Sequence, residues 1–169
     1  MRKSELPIVP HEKLLNEMHY DPLTGVFTRI SGPRTDRIGL IASTTQNQGY
    51  VWVAIGRKQY LAHRLAWFYV HGVWPKGDID HANRNRSDNR LCNLREATRS
   101  QNNANAPASV LSKTGMRGVF YVPRVKKYRA QMRANGRRIS LGYFETAEKA
   151  SEAYKNAARQ EYGEFAHSA

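Results

Sequence analysis

The sequence predicts an α+β protein built from two small domains, and three observations support this. Its 169 residues, 40% of them hydrophobic, suffice for one ordinary domain or two small ones. Residues 103–115 are small, polar and interrupted by Pro107, which is typical of a linker. Short helices and strands alternate before this stretch, and three strands precede one helix after it. We therefore expect domains over 1–105 and 114–169, joined by a linker over 106–113.

The first predicted domain is a small mixed scaffold. Apolar periodicity together with Gly and Pro positions predicts a helix over 11–18, a turn at 21–25, a strand over 26–30, and strands over 50–55 and 58–62 joined as a hairpin at Gly56.

The segment "HRLAWFYVHG" predicts a helix that ends near Gly72 and supplies core residues, namely Leu65, Trp67, Phe68 and Val70. A short strand should follow and end in Asp80-His81. A polar loop, a return strand near 92–97 and a helix starting at about Thr98 or Ser100 come next, with Thr98 as the N-cap.

The second predicted domain is a three-stranded sheet followed by a helix. The sequence predicts strands over 118–122, 127–134 and 137–144, with Asn135-Gly136 as a two-residue hairpin turn between the last two. The stretch "TAEKASEAYKNAARQEYG" has alanines at helical spacing, so we expect a helix with Thr146 as N-cap and Gly163 as its end.

Charge points to a polyanionic partner. The chain carries 27 Lys plus Arg against 14 Asp plus Glu, which makes nucleic acid the leading candidate. Residues 112–144 are rich in Lys and Arg and contain no acid, whereas the later acids fall on or beside the last helix. This distribution indicates a sheet with one basic face and a helix on the other. A solvated basic sheet without a partner is the alternative.

Several classes of protein are disfavoured. No apolar run approaches the roughly 20 residues of a spanning helix, and no signal-peptide pattern opens the chain, so we expect a cytoplasmic protein without a membrane partner. The single cysteine, Cys92, allows neither an internal disulfide nor a paired-cysteine zinc site, and no zinc is expected.

The Asp80-His81 pair has the chemistry that phosphodiester hydrolysis needs, namely a base and a hard ligand for a cation. An unperturbed imidazole titrates near pH 6.5, so His81 has a lone pair at neutral pH. Asp80 suits magnesium, and an Asn carboxamide could add a second oxygen. Adjacent strand residues point to opposite sides, so this pair can share a site only where the strand ends and the backbone bends.

The segment "HRLAW" followed by "DIDHANRNRSDNRLCNLREATRSQNNAN" resembles the HNH family, most closely the phage and intron-encoded homing endonucleases with a ββα-metal active site. The family has Asp-His at the end of one strand, Asn before Leu in the next, and Asn on the following helix. The resemblance implies that Asp80 and Asn102 bind one divalent cation, Mg²⁺ or Mn²⁺. It also implies that His81 is the general base, and that Asn93 orients the histidine and braces the loop.

Other polar residues near this pair have predicted roles. Asn83, Asn85 and Asn89 are interpreted as residues that shape the loop, because Asn forms turns readily. His63 could serve in packing, phosphate contact or support, with a structural role favoured. The nearby arginines are predicted to contact phosphate: Arg84, Arg86, Arg90, Arg95 and Arg99.

Residues 114–166 resemble the AP2 domain, through "RGV", "YRAQMR", "LGYF", "TAEKASEAY" and "YGEFA". That family places its three-stranded sheet in the DNA major groove. The positions that correspond to its DNA contacts are Arg117, Gln131, Arg133 and Arg138. Other contact positions hold different residues here, so no target sequence transfers: Phe120, Val122 and Ser140.

Together these features predict a sequence-selective, single-metal HNH endonuclease of the homing type, acting on double-stranded DNA of a bacterial or phage-infected host without a small-molecule cofactor. Two alternatives stay open at this point. One is a DNA-binding regulator with an inactive nuclease domain, and the other is an RNA-binding or structure-selective enzyme.

Overall fold

The computed structural model describes residues 9–45, 48–106, 113–134 and 136–166. The chain forms two compact units, Met1–Glu96 and Ala97–Ala169. Among the helices in the described ranges, none is long and apolar enough to cross a membrane. The architecture is mixed, with small sheets and four α-helices in the described part of the chain, as the α+β prediction requires.

In its described residues, the N-terminal unit contains two α-helices and seven short strands. They are α1 (His11–Glu17), β1 (Met18–Asp21), β2 (Val26–Arg29), β3 (Ser43–Thr45), β4 (Val51–Ile55), β5 (Lys58–Leu61), α2 (Ala62–His71), β6 (Asp78–His81) and β7 (Leu94–Ala97). The strands form three sheets, β1-β2, β3-β4-β5 and β6-β7. The hairpin predicted at Gly56 is confirmed, and strands β1 and β3 were not predicted.

The turn between β1 and β2 brings the N-terminal hairpin against the polar loop that follows β6. Asp21 closes the turn by accepting hydrogen bonds from the Leu23 backbone N–H (2.9 Å) and the Thr24 hydroxyl (2.7 Å). Gly25 has φ +75°, and a Cβ there would lie 2.5 Å from the backbone nitrogen of Arg90. Only glycine permits this approach, because a side chain would collide with the loop backbone.

The core of the N-terminal unit forms where α1, α2 and the strands meet. Its fully buried side chains include Leu14, Phe27 and Leu65. Leu65 and Phe68 confirm the predicted core face of α2. The same prediction for Val70 was wrong, since its side chain is 44% exposed. The buried stripe of α2 starts instead at its first turn, in residues 62–63.

The C-terminal unit confirms the predicted strands and helices closely. Its elements are α3 (Arg99–Asn105), β8 (Val119–Val122), β9 (Lys127–Ala134), β10 (Arg137–Phe144) and α4 (Ala147–Tyr162). The sheet is antiparallel in the order β10-β9-β8. Its small core contains Val119, Ala130 and Ala150, so α4 covers one face of the sheet.

Capping residues explain where the helices of the C-terminal unit begin. The Thr98 side chain accepts from the Gln101 backbone N–H, and Gln101 reciprocates in a capping box. The Thr146 hydroxyl likewise accepts from the Lys149 backbone N–H, and Gly163 ends α4. These predicted caps are confirmed.

The border between the compact units lies between Glu96 and Ala97, so α3 is grouped with the C-terminal unit. The predicted boundary, 106–113, lies further along the chain. Residues 107–112 of that linker and Asn135 of the predicted hairpin turn lie outside the described residues. The linker and the turn type therefore stay predictions.

Candidate active site and candidate nucleic-acid surface

Strand β6 ends at Asp80 and His81, and the chain bends immediately after them. Both side chains are buried. The His81 carbonyl accepts a hydrogen bond from the Arg84 backbone N–H at 2.8 Å. Arg84 itself adopts φ +65°, a left-handed conformation that is unusual for a residue with a side chain. The backbone thus bends directly after the pair, at the predicted strand end, and that the two side chains share one site stays a prediction.

Asn93 closes the loop that follows the strand. Its Oδ1 accepts from the Asn83 backbone N–H at 3.0 Å, and its Nδ2 donates to the Asp88 carbonyl at 2.8 Å. Its own carbonyl accepts from the Ala82 backbone N–H at 2.9 Å. These three bonds tie the start of the loop to its end, which is the geometry of a bracing residue. A contribution of Asn93 to catalysis stays a prediction.

The three loop asparagines that look alike in the sequence differ in the structure. Asn83 and Asn85 each accept, through Oδ1, from the backbone N–H two residues ahead, at 2.9 and 3.1 Å. They shape the loop, as predicted. Asn89 instead is 2% exposed, and its Oδ1 lies 3.2 Å from Nε2 of His81. No pattern in the sequence indicated this contact, because the path of the loop decides which asparagine meets the ring.

Asp80 forms a buried ion pair with Arg95. The Oδ2 atom of Asp80 accepts from Nε of Arg95 at 2.9 Å and lies 2.9 Å from a terminal nitrogen of the same guanidinium. The side chains are only 5% and 18% exposed. Arg95 was predicted to contact phosphate, and it lies instead on the carboxylate because β6 and β7 are paired.

The donor set around Asp80 fits a hard cation with few protein ligands. Within the described residues, no group of three His, Cys, Asp or Glu side chains could hold a metal ion. A cation held by the Asp80 carboxylate would also take coordination from carboxamide oxygen, water and substrate. Magnesium and manganese accept such a shell.

His63 lies beside His81 and is also buried. The two rings meet edge-on with centroids 5.0 Å apart, and the Tyr50 ring lies 5.4 Å from His63. Burial, with a smaller contribution from His81, lowers the pKa of His63 to about 3, and burial also lowers the pKa of His81. Among the residues that the structure describes, none is a hydrogen-bond partner of the buried Nδ1 of His63. Of the predicted roles of His63, packing and support agree best with this burial.

The arginines of the loop are exposed on its surface. Arg90 pairs with Asp88 at 2.6 Å, and this pairing lowers the pKa of Asp88. The guanidinium of Arg86 lies 4.7 Å from the centroid of the Tyr50 ring and donates to the Gln48 carbonyl at 3.0 Å. The exposure of Arg86 and Arg90 beside the Asp80-His81 site is compatible with the predicted phosphate contacts. These contacts, and the phosphate contact predicted for Arg84, stay predictions.

Asn102 lies on α3 in the C-terminal unit, where its backbone N–H donates to the Thr98 carbonyl at 2.9 Å. Asn102 is also the predicted second ligand of the metal ion. That role stays a prediction.

The sheet of the C-terminal unit has a polar face opposite α4. Along β9, Ala130 and Met132 are buried, while Gln131 and Arg133 alternate with them and point the other way. Arg138 of β10 pairs with Arg133, so both arginines share this face. Arg129 pairs with Phe120 and Tyr143 across the strands, and these aromatic rings are 44% and 52% exposed.

Arg117, one of the predicted DNA contacts, makes several hydrogen bonds within the C-terminal unit. Its Nε donates to the Tyr154 hydroxyl at 2.6 Å, and its terminal nitrogens donate to the carbonyls of Asn103, Ala104 and Ala106. These carbonyls belong to the last turn of α3 and the residue after it, and that of Asn103 also accepts from the Ala106 backbone N–H at 3.2 Å. The guanidinium caps the C-terminal end of α3 in this structure, and a DNA contact by Arg117 stays a prediction.

Comparisons with known proteins agree with the chemistry of the site. Neither the curated proteins nor the solved structures gave a significant match. Residues 60–104 match a family model described as HNH endonuclease. The matched segment contains His63, Asp80, His81, Asn93 and Asn102. This match supports an HNH nuclease domain in this part of the chain and, with it, DNA cleavage as the activity that the family implies.

Proposed function

We propose that this protein is a magnesium- or manganese-dependent DNA endonuclease of the homing type, which hydrolyses one phosphodiester bond per visit of its HNH site. One observation carries the proposal. Buried His81 and Asp80 stand together at a strand end, in a loop closed by Asn93 and within the segment that matches the HNH endonuclease model.

His81 acts as the general base in this proposal. Burial lowers the pKa of its imidazole, so the ring is neutral at neutral pH and can accept a proton from water. The water oxygen forms a bond to phosphorus while the bond to the 3′ oxygen breaks. The products are a 5′ phosphate and a 3′ oxyanion, which takes a proton from solvent water to become the 3′ hydroxyl. Asp80 and Asn102 would hold the cation. When bound, it offsets the negative charge that develops on the phosphate and the departing oxygen.

The C-terminal unit supplies DNA affinity in this proposal, through an AP2-like sheet. Its support is the polar face that carries Gln131, Arg133 and Arg138, together with the excess of basic residues in the chain. An antiparallel sheet can enter the major groove of duplex DNA, where arginine binds guanine through two hydrogen bonds. Phosphate contacts should make the binding strongly dependent on salt.

Plasmid cleavage tests the nuclease. Supercoiled plasmid and phage genomic DNA are incubated with the intact protein, with His81→Ala, and with the control His19→Ala, which changes an exposed histidine on β1. We expect cutting in Mg²⁺ but not in EDTA, retained in the control and reduced at least about 100-fold in His81→Ala. The ratio of nicked to linear product gives the number of strands cut.

The alternatives predict other results. A protein that binds duplex DNA tightly and cuts none of it would be a regulator with an inactive nuclease domain. Cutting that is stronger on branched DNA or on RNA than on duplex DNA would indicate a structure-selective enzyme. Competition among duplex DNA, branched DNA and RNA distinguishes these alternatives from the proposed function.

A further inference from the structure

We propose that Asn89 is a positioning residue that holds His81 in the tautomer with its proton on Nε2, so that Nδ1 is the nitrogen that accepts the proton. The effect of Asn89 on catalysis rests on the proposed nuclease function. The tautomer itself can be measured without any activity.

The orientation of the Asn89 carboxamide follows from its second contact. Its Nδ2 lies 3.2 Å from the Ser87 carbonyl, which can only accept a hydrogen bond. The amide nitrogen must therefore face Ser87. The carboxamide oxygen then faces the His81 ring, where it lies 3.2 Å from Nε2.

The proton position follows from that orientation. A carboxamide oxygen can only accept, so Nε2 of His81 must donate. A neutral imidazole carries one N–H, and the lone pair is then on Nδ1. The rings of His63 and Tyr50, with centroids 5.0 and 6.1 Å from that of His81, limit the rotation of the ring. The hydrogen bond to Asn89 favours the tautomer with the proton on Nε2.

The N-terminal hairpin holds Asn89 in place. The Tyr20 hydroxyl on β1 donates to the Asn89 carbonyl at 2.7 Å. The Leu91 backbone N–H donates to the Pro22 carbonyl at 3.0 Å, and Gly25 lets the turn approach the same backbone. This hairpin lies outside the 60–104 segment that matches the HNH model. The N-terminal hairpin therefore helps to orient His81 by holding the backbone of Asn89.

Long-range ¹H–¹⁵N NMR on the full chain, labelled at histidine and free of metal and DNA, tests the tautomer. His81 signals are assigned from their loss in His81→Gln, at a pH where the ring is neutral. We expect the proton on Nε2, slowly exchanging because it is hydrogen-bonded. Asn89→Ala should speed that exchange or mix the tautomers, whereas Asn89→Asp keeps an acceptor and should preserve the signal. A wild-type proton on Nδ1 would overturn the proposal.

Cleavage kinetics test the consequence. Asn89→Ala should lower kcat about 10- to 100-fold with little change in KM, and Asn89→Asp should recover most of the loss. Asn85→Ala is the matched control, since it changes an exposed asparagine of the same loop that contacts Ser87 and not the ring. Equal losses in Asn89→Ala and Asn85→Ala would show that only loop structure is affected and would contradict the proposal. If the protein cuts no DNA, the proposed nuclease fails while the NMR result still decides the tautomer.

Discussion

The two units of this protein differ in the kinds of side chain that they bury. The N-terminal unit encloses polar side chains in fixed hydrogen bonds and ring contacts: His63, Asp80, His81, Asn89 and Asn93. The C-terminal unit builds a small core from Val119, Ala130 and Ala150, and most of its basic side chains lie partly or fully at the surface. Buried polar groups hold a defined orientation, which catalysis needs. Exposed arginines suit an extended polyanion, where long-range charge attraction matters more than fixed geometry.

The largest expected effect comes from Gly118→Ala, which tests whether the small core of the C-terminal unit tolerates one additional methyl group. Gly118 has φ +70°, and a Cβ there would lie 2.3 Å from the Tyr154 ring and 2.5 Å from the Gln131 carbonyl. We expect a loss of about 3 kcal/mol or more in the stability of this unit. Circular dichroism should show lost helix while tryptophan fluorescence, from Trp52, Trp67 and Trp74 of the N-terminal unit, keeps its unfolding transition.

Gly115→Ala is the matched control for that experiment. Gly115 has φ +66°, but within the described part of the chain a Cβ there would meet no atom within 4 Å beyond its two chain neighbours. The variant should show only the modest cost of the backbone conformation, about 1 to 2 kcal/mol. Equal losses in the two variants would mean that backbone strain alone, and not the contact with Tyr154, limits the unit.

Asn93→Ala should have the next largest effect, and it tests whether the buried polar network stabilises the N-terminal unit. The change leaves the Asn83 N–H and the Asp88 carbonyl without their side-chain partner. We expect about 2 kcal/mol of lost stability, because an unpaired polar group near the interior is costly. Urea unfolding followed by tryptophan fluorescence measures the loss. A change below a few tenths of a kcal/mol would show that the loop does not depend on this residue.

Acidification should weaken the N-terminal unit through its buried histidines. Burial lowers the pKa of His63 from 6.5 to about 3, so the unfolded chain takes up the proton first. Stability is therefore full above about pH 6.5 and falls as the pH decreases toward 3, by about 2 kcal/mol between pH 7 and pH 5. Urea titrations by tryptophan fluorescence at both pH values measure this.

The variant His63→Phe should keep a ring beside His81 and remove most of that pH dependence. His81, whose pKa is also lowered by burial, should leave a remainder of the same sign. An unchanged slope in His63→Phe would rule out His63 as its source. His19→Ala, at an exposed position, should keep the slope of the wild type.

The smallest expected effect concerns the exposed surface of the C-terminal unit. Arg133→Ala should weaken binding to duplex DNA by about 1 kcal/mol and reduce the salt slope of binding by about 1, if Arg133 contacts phosphate. Arg137→Ala is the control, because Arg137 pairs with Ala134 and points to the other face of the sheet. Fluorescence anisotropy at several salt concentrations compares them. Equal effects would mean that net charge, and not this face, determines the binding.

The sequence by itself determined most of the local structure of the C-terminal unit and part of that of the N-terminal unit, where β1 and β3 were not predicted. Period-two alternation and an Asn-Gly pair located β8, β9 and β10, and Thr98 and Thr146 marked helix starts through their hydroxyl groups. These signals act between residues that are close along the chain, so they can be seen in one sequence. The Asp80-His81 strand end was visible for the same reason.

Only the tertiary structure decided which polar side chains meet. Asn89 contacts His81, whereas Asn83 and Asn85 do not, because Tyr20 and the turn at Gly25 fix the backbone of the loop from far away in the sequence. Arg95 lies on Asp80 and Arg117 caps α3, although their sequence contexts suggested nucleic acid contacts. Arginine carries the same charge in either role. Its partner is set by the position of backbone and carboxylate oxygens, which only the folded chain brings together.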